Sequence, residues 1–155
     1  MNFSNVNNVY LIGIGGIGMS ALARYFNEDK KYVAGYDKTQ TDLTKSLSES
    51  GINVSFEDSI EDIDEVFFNS TTTLVIYTPA IPSSHKQLQY FKQNGFQVLK
   101  RSQVLGLITE QTFCLAVAGT HGKTTTTSIL GHLMYACDVP LTAFLGGISE
   151  NYNSN

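Results

Sequence analysis

The chain has 155 residues, a net charge of −4, 42% hydrophobic and 15% charged content, which describes a folded globular protein and excludes a disordered one. Its basic residues are scattered, with no cluster larger than Lys30-Lys31 or Lys100-Arg101. Both pairs read as solvated surface, and no nucleic-acid partner is expected without a basic stripe. No run approaches the roughly 20 apolar residues that cross a bilayer, the first eight residues lack the basic start of a signal peptide, and Cys114 and Cys137 stand alone as expected buried, reduced thiols. No membrane association is expected, and these features together predict a cytoplasmic protein.

Hydrophobic periodicity then lays out the elements. Residues 9–14 form an apolar strand entering a glycine turn, and Met19, Leu22, Ala23 and Phe26 recur at helical spacing behind it. A second strand is predicted over 32–36, a helix over 39–50 closed by Gly51, a weak strand over 52–56, and an acidic helical connection over 60–69. The β-branched run 73–77 is a strand that stops at Thr78-Pro79. Ser83 or Ser84 is expected to cap a helix carrying Leu88 and Phe91, a strand follows over 96–99, and Ser102 is expected to cap a short helix through Ile108.

Residues 112–118 read as a further strand and 122–137 as a further helix, with Ile129, Leu130, Leu133 and Met134 as its apolar face. Strands alternating with helices predict an α/β fold: a Rossmann-like, mostly parallel sheet with helices on both faces. Residues 1–111 would make that domain. Residues 112–155 would be the strand, loop and helix that begin a P-loop ATP-binding domain.

Two glycine loops carry the chemistry. Gly13-Ile14-Gly15-Gly16-Ile17-Gly18 fits G-x-G-x-x-G between a strand and a helix. Glycine lets the backbone turn tightly and approach a diphosphate, whose charge the first helical N–H groups and the helix dipole favour. A purely structural turn is the other reading. Asp37, about twenty residues further on, stands where a carboxylate meets a ribose or base, or serves simply as a turn residue.

The second loop, Gly119-Thr120-His121-Gly122-Lys123-Thr124-Thr125, again joins a predicted strand to a helix. Its backbone N–H groups would wrap phosphate oxygens, Lys123 would supply a point charge to the β- and γ-phosphates, and the Thr124 hydroxyl would ligate Mg²⁺. Valine at position 117 replaces the leading glycine of the general P-loop, so the match is to a shorter G-T-x-G-K-T variant. A threonine-rich helix cap is the bland alternative. His121 reads as solvated or as shaping the loop, and His85 and His132, which have no evident partners, as surface or core histidines. After Lys123 the acids are Asp138 and Glu150, neither on a convincing strand, so the magnesium site reads as unfinished.

At these residues the sequence resembles the Mur ligase family. The stretch 10–23 resembles the family's first loop and 117–127 its ATP loop, histidine included; 33–37, 77–81 and 100–105 occupy the expected places between them. The resemblance implies ATP-driven joining of L-alanine to the lactyl carboxylate of UDP-N-acetylmuramate through an acyl phosphate, with ATP and Mg²⁺ as cofactors. Carried over, Gly15, Gly16, Ile17 and Gly18 would approach the UDP diphosphate. Asp37 would face the uridine, helped by Thr78, Pro79 and Ala80 of the following turn. Gly119, Thr120, His121, Gly122, Lys123, Thr124 and Thr125 would hold ATP, with Lys123 catalytic and Thr124 on the metal. Tyr36 and Thr78 stand where relatives often carry serine, and the family's further magnesium and alanine residues would lie past Asn155. A nicotinamide-dependent dehydrogenase would explain the first loop but not the second. A related ligase acting on another UDP-muramoyl precursor, and a nucleotide-sensing module, are also compatible with the two loops.

Overall fold

The computed structural model describes residues 3–149 and 151–152. Five strands, β1 (Asn8–Ile12), β2 (Tyr32–Tyr36), β3 (Asn53–Ser55), β4 (Thr73–Tyr77) and β5 (Gln97–Lys100), form one sheet in the order β3-β2-β1-β4-β5. Each of its four pairings is parallel. Five α-helices accompany them: α1 (Ile17–Glu28), α2 (Asp42–Glu49), α3 (Lys86–Gln93), α4 (Arg101–Glu110) and α5 (Lys123–Ala136). No helix of the described residues is long and apolar enough to cross a membrane.

The pleat divides the core in two. On one face Val9, Leu11, Val33, Leu74 and Ile76 meet Leu22 and Phe26 of α1, Leu47 of α2, and Val104 and Ile108 of α4. On the other, Tyr10, Ile12, Ala34 and Val75 meet Phe67 of a short 3-10 helix and Leu88 and Phe91 of α3. A parallel sheet covered on both faces needs strands apolar throughout, and β1 is buried at every position. Gly35 of β2 is held by close approach, since a Cβ there would collide with the Leu11 carbonyl oxygen.

Several local expectations need correction. Residues 60–69 hold only the 3-10 helix Glu65–Phe68. Helix α3 is capped by His85, whose ring nitrogen accepts from the Leu88 N–H at 3.4 Å, rather than by Ser83 or Ser84. The Asp58 carboxylate also caps it, accepting from Lys86 and Gln87 N–H groups at 3.0 and 3.2 Å. Helix α4 starts at Arg101, where the Gln103 side chain reaches back to the Lys100 N–H at 2.9 Å; Ser102 lies inside the helix. Both cysteines are exposed, not buried.

The largest departure is at 112–118, which forms no strand: a lone extended segment gains no ladder without a neighbour, and Phe113 is left 89% exposed. Helix α5 follows as expected, but it buries no residue, so Ile129 and Leu133 remain more than half exposed.

Candidate functional site

The register of the sheet builds the first site. Ile12 pairs with Tyr36 on one side and with Tyr77 on the other, and Tyr77 pairs with Lys100. The residues that follow, Asp37, Gly13, Thr78 and Arg101, therefore leave the carboxyl edge of four adjacent strands side by side. Strand order reverses here: β1 is followed by β2 on one flank, and β4 lies on the other. Such a switch point opens a crevice, the usual ligand position in an open parallel sheet.

The first loop turns tightly over this edge. Gly13 and Ile14 N–H groups both donate to the Tyr36 carbonyl, at 2.7 and 3.0 Å. Gly13 has φ +89, and a Cβ on it would lie 2.7 Å from Thr78 Cγ2, so glycine is required on both counts. Asp37 fixes the next turn: its Oδ2 accepts from the Gly15 N–H at 2.8 Å and its Oδ1 from the Thr39 N–H at 3.1 Å. The turn 78–81 closes with Ile81 N–H on the Thr78 carbonyl at 3.1 Å, and leaves Pro79 and Ala80 exposed. Gly16 caps α1 with extended backbone and no side-chain hydrogen bond; its carbonyl accepts from the Met19 and Ser20 N–H groups at 2.9 and 2.8 Å, and the Ile17 that follows is exposed.

Arg101 carries no local sequence signal of a site; beside Lys100 it has the pattern of solvated surface. In the fold it is half-buried, and a Cβ on Gly18 would sit 2.7 Å from its Nη1. Ile17, Gly18 and Arg101 line one side of a cavity of about 330 Å³, closed on the other by Phe144, Leu145 and Gly146. Phe144 also packs on Tyr25 of α1, with ring centroids 5.6 Å apart. The signal is the register itself, visible once 97–100 is aligned beside 73–77.

In the second loop Gly119 (φ +151) and Gly122 (φ +76) adopt conformations that favour glycine. Lys123 Nζ folds back to donate to the Gly119 and Thr120 carbonyls, at 2.6 and 3.1 Å. Residues 119–125 are all exposed, His121 among them. A Cβ on Gly146 would lie 2.9 Å from Thr124 Oγ1, which brings the second loop to the far wall of the cavity that Gly18 and Arg101 line. A cation, a hydroxyl and glycine-shaped backbone at a helix start suit a polyphosphate. For a metal, the described residues offer no cluster of three His, Cys, Asp or Glu, and of the expected ligands Thr124 alone is present.

His85 and His132, without evident partners in the sequence, are a core and a surface histidine, and each has a partner in the fold. His85 is 5% exposed, with Nδ1 3.1 Å from Asp58 Oδ1 and its ring against Tyr36 at 4.5 Å. Burial lowers its pKa while the Asp58 charge opposes that shift. His132 Nδ1 lies 2.7 Å from the Tyr152 hydroxyl. Neither contributes to the two loops.

Comparison with known proteins agrees with this geometry. The profile described as "Mur ligase family, catalytic domain" matches residues 8–112. The UDP-N-acetylmuramate–L-alanine ligases of Flavobacterium psychrophilum and Flavobacterium johnsoniae are 60% and 57% identical over the whole chain, which spans 34% of each relative's length. Among solved structures, the UDP-N-acetylmuramate-alanine ligase of Thermotoga maritima superposes with a TM-score of 0.84 at 30% identity, over 96% of this chain and 34% of that one. A UDP-N-acetylmuramate:L-alanyl-gamma-D-glutamyl-meso-diaminopimelate ligase from Neisseria meningitides gives 0.80 at 25% identity, over 96% and 45%. Matched by that profile over more than half of its length, the chain belongs to the Mur ligase family.

Proposed function

We propose that the chain is the UDP-sugar-binding part, with the opening of the ATP-binding part, of an ATP-dependent ligase that joins L-alanine to UDP-N-acetylmuramate. Residues 1–111 would form the first domain and 112–155 the start of the second. The observation that carries this reading is the shared cavity: Gly18 stands on one wall, and Gly146, beside the Thr124 hydroxyl, on the other. A sugar nucleotide gripped by the first loop would then present its reacting end toward the second. The high identity to alanine ligases favours that substrate over the peptide-linked one named for the more distant Neisseria structure. A nicotinamide dehydrogenase has no use for the loop at 119–125.

In this reading Gly15, Gly16, Ile17 and Gly18 lay backbone N–H groups against the diphosphate. Asp37 and the turn Thr78, Pro79 and Ala80 border the uridine. Gly119, Thr120, His121, Gly122 and Thr125 surround the ATP phosphates, and Lys123 exchanges its two carbonyl partners for β- and γ-oxygens, stabilising the charge that develops on the transferring phosphoryl group. Thr124 would supply one oxygen to Mg²⁺, which would neutralise phosphate charge there. The lactyl carboxylate takes the γ-phosphoryl group as ADP leaves; the alanine amine then attacks the acyl carbon and phosphate leaves. A peptidoglycan precursor pathway in the cytoplasm is the setting this chemistry fits.

Calorimetry with UDP-N-acetylmuramate on the wild type and on Gly16→Val tests the reading. Binding by the wild type and its loss in the variant are expected. Equal affinities would remove the first loop from the site, and tight NADH binding with no response to UDP would replace the ligase by a dehydrogenase.

A further inference from the structure

We propose that Arg101 is a diphosphate-binding residue of the first glycine loop, and that Gly18 is glycine to make room for its guanidinium. This role rests on the UDP-sugar reading of that loop and adds the charge which the backbone alone does not provide.

Four observations carry it. Arg101 leaves β5 on the same carboxyl edge as Gly13, because Tyr77 registers with both Ile12 and Lys100. Its guanidinium lies over the first turn of α1: a Cβ on Gly18 would sit 2.7 Å from Nη1 and 3.1 Å from both Cδ and Cζ. Arg101 is the one charged residue lining the cavity among the described residues, and it has no salt-bridge partner among them. It is also half-buried rather than extended into water. A cation held in that way, without an anion, at the wall of a cavity beside the start of α1, is placed for a ligand that carries the negative charge.

Electrostatics gives the arginine a reason. The loop is organised by a carboxylate, Asp37, only 2.8 Å from the Gly15 nitrogen, in a chain of net charge −4. A diphosphate entering the loop meets that like charge, and helix N–H groups carry only partial positive charge. A full positive charge on the opposite side of the loop offsets the repulsion. Its planar fork can also hold two phosphate oxygens at once, which a lysine cannot do. The third glycine of such loops ordinarily serves close packing of helix on strand. Here the three nearest atoms a Cβ would meet all belong to Arg101, so glycine also leaves room for the cation. The ligand class is a nucleoside diphosphate or its sugar conjugate, in preference to a free nucleoside.

The test is protein-observed NMR titration of the 155-residue chain with UDP and, separately, with uridine. Wild type, Arg101→Ala, Arg101→Lys, Gly18→Ala and the Gly18→Ala/Arg101→Ala pair are compared, with thermal melts to verify folding. Arg101→Ala should weaken UDP by about tenfold or more, the size of one lost charge-assisted hydrogen bond, and leave uridine unchanged. Lysine should recover part of the loss. Gly18→Ala should weaken UDP on its own and add nothing in the Arg101→Ala background. Unchanged UDP affinity in Arg101→Ala overturns the arginine's role while leaving the UDP reading intact. Equal losses for UDP and uridine overturn it too, by making Arg101 a structural support. Gly18 and Arg101 losses that multiply would overturn the link between them. A wild type that binds no UDP removes the underlying reading, and the role of Arg101 with it.

Discussion

Asp37 and Gly15 are joined by a hydrogen bond of 2.8 Å, carboxylate to backbone N–H, across the mouth of the crevice. With Thr39 N–H on its other oxygen at 3.1 Å, Asp37 holds the glycine loop to the end of β2. Asp37 is therefore a builder of the loop as well as a candidate neighbour of the uridine. Asp37→Asn keeps an acceptor for the Gly15 N–H, whereas Asp37→Ala keeps none. Chemical denaturation should place the alanine variant about 1–2 kcal/mol below wild type, and the asparagine variant nearer to it. If both unfold as the wild type does, the bond contributes nothing to the loop.

Gly15 and Gly16 are neighbours with opposite surroundings. A Cβ at Gly15 would lie 2.8 Å from Thr44 Cγ2 and 2.9 Å from Asp37 Oδ2, but at Gly16 the nearest atom is 3.6 Å away. Gly16 also has φ −68, which any residue adopts. Gly15→Ala should thus lower stability by about 1–3 kcal/mol, while Gly16→Ala should stay within about 1 kcal/mol of wild type. Both should weaken UDP binding, Gly16→Ala because its methyl group projects where the diphosphate would approach. A Gly16→Ala variant with wild-type affinity would move the ligand away from this face.

His85 makes stability pH-dependent. Its folded pKa is lowered, mainly by burial, with the Asp58 charge acting the other way. Between the lowered value and the ordinary one near 6.5 the unfolded chain binds more protons, so stability falls as pH drops through that window and rises as pH increases. Melting temperatures between about pH 7.5 and 5 should decline in the wild type, and His85→Gln should decline less. Parallel curves would show that His85 is not the group responsible.

The sheet was legible because its central strands β1, β2 and β4 are short runs rich in β-branched, aromatic and other apolar residues, and β2 and β4 fall on their expected residues. The first loop was equally plain, since glycine spacing records a backbone constraint directly. What local pattern could not supply was anything fixed by a distant neighbour. Asp58 and His85 displaced the serines as caps of α3 because the loop carrying Asp58 packs against that helix start. Residues 112–118 have strand composition, yet β-propensity expresses a partner's surface as much as the backbone's preference, and no strand lies alongside them among the described residues. Arg101 has the look of one half of a surface pair, and only the register of β5 on β4 brings it over Gly18.

Lys123 offers the sharpest separation of catalysis from folding. Its Nζ bonds the Gly119 and Thr120 carbonyls at the surface, and α5 buries no residue, so Lys123→Ala should leave the stability of this chain within about 0.5 kcal/mol of wild type. UDP binding at the first loop should be equally unaffected. In a chain of the relatives' full length the same change should lower alanine-dependent ATP hydrolysis by about 10²–10³-fold, because a fixed positive charge at the transferring phosphoryl group acts mainly in the transition state. That loss should fall on kcat, with the KM for UDP-N-acetylmuramate little changed. Phosphate release measured in the presence and absence of alanine gives the answer: turnover within about threefold of wild type would strip Lys123 of its role, and a rise in the sugar-nucleotide KM alone would reassign it to ground-state binding.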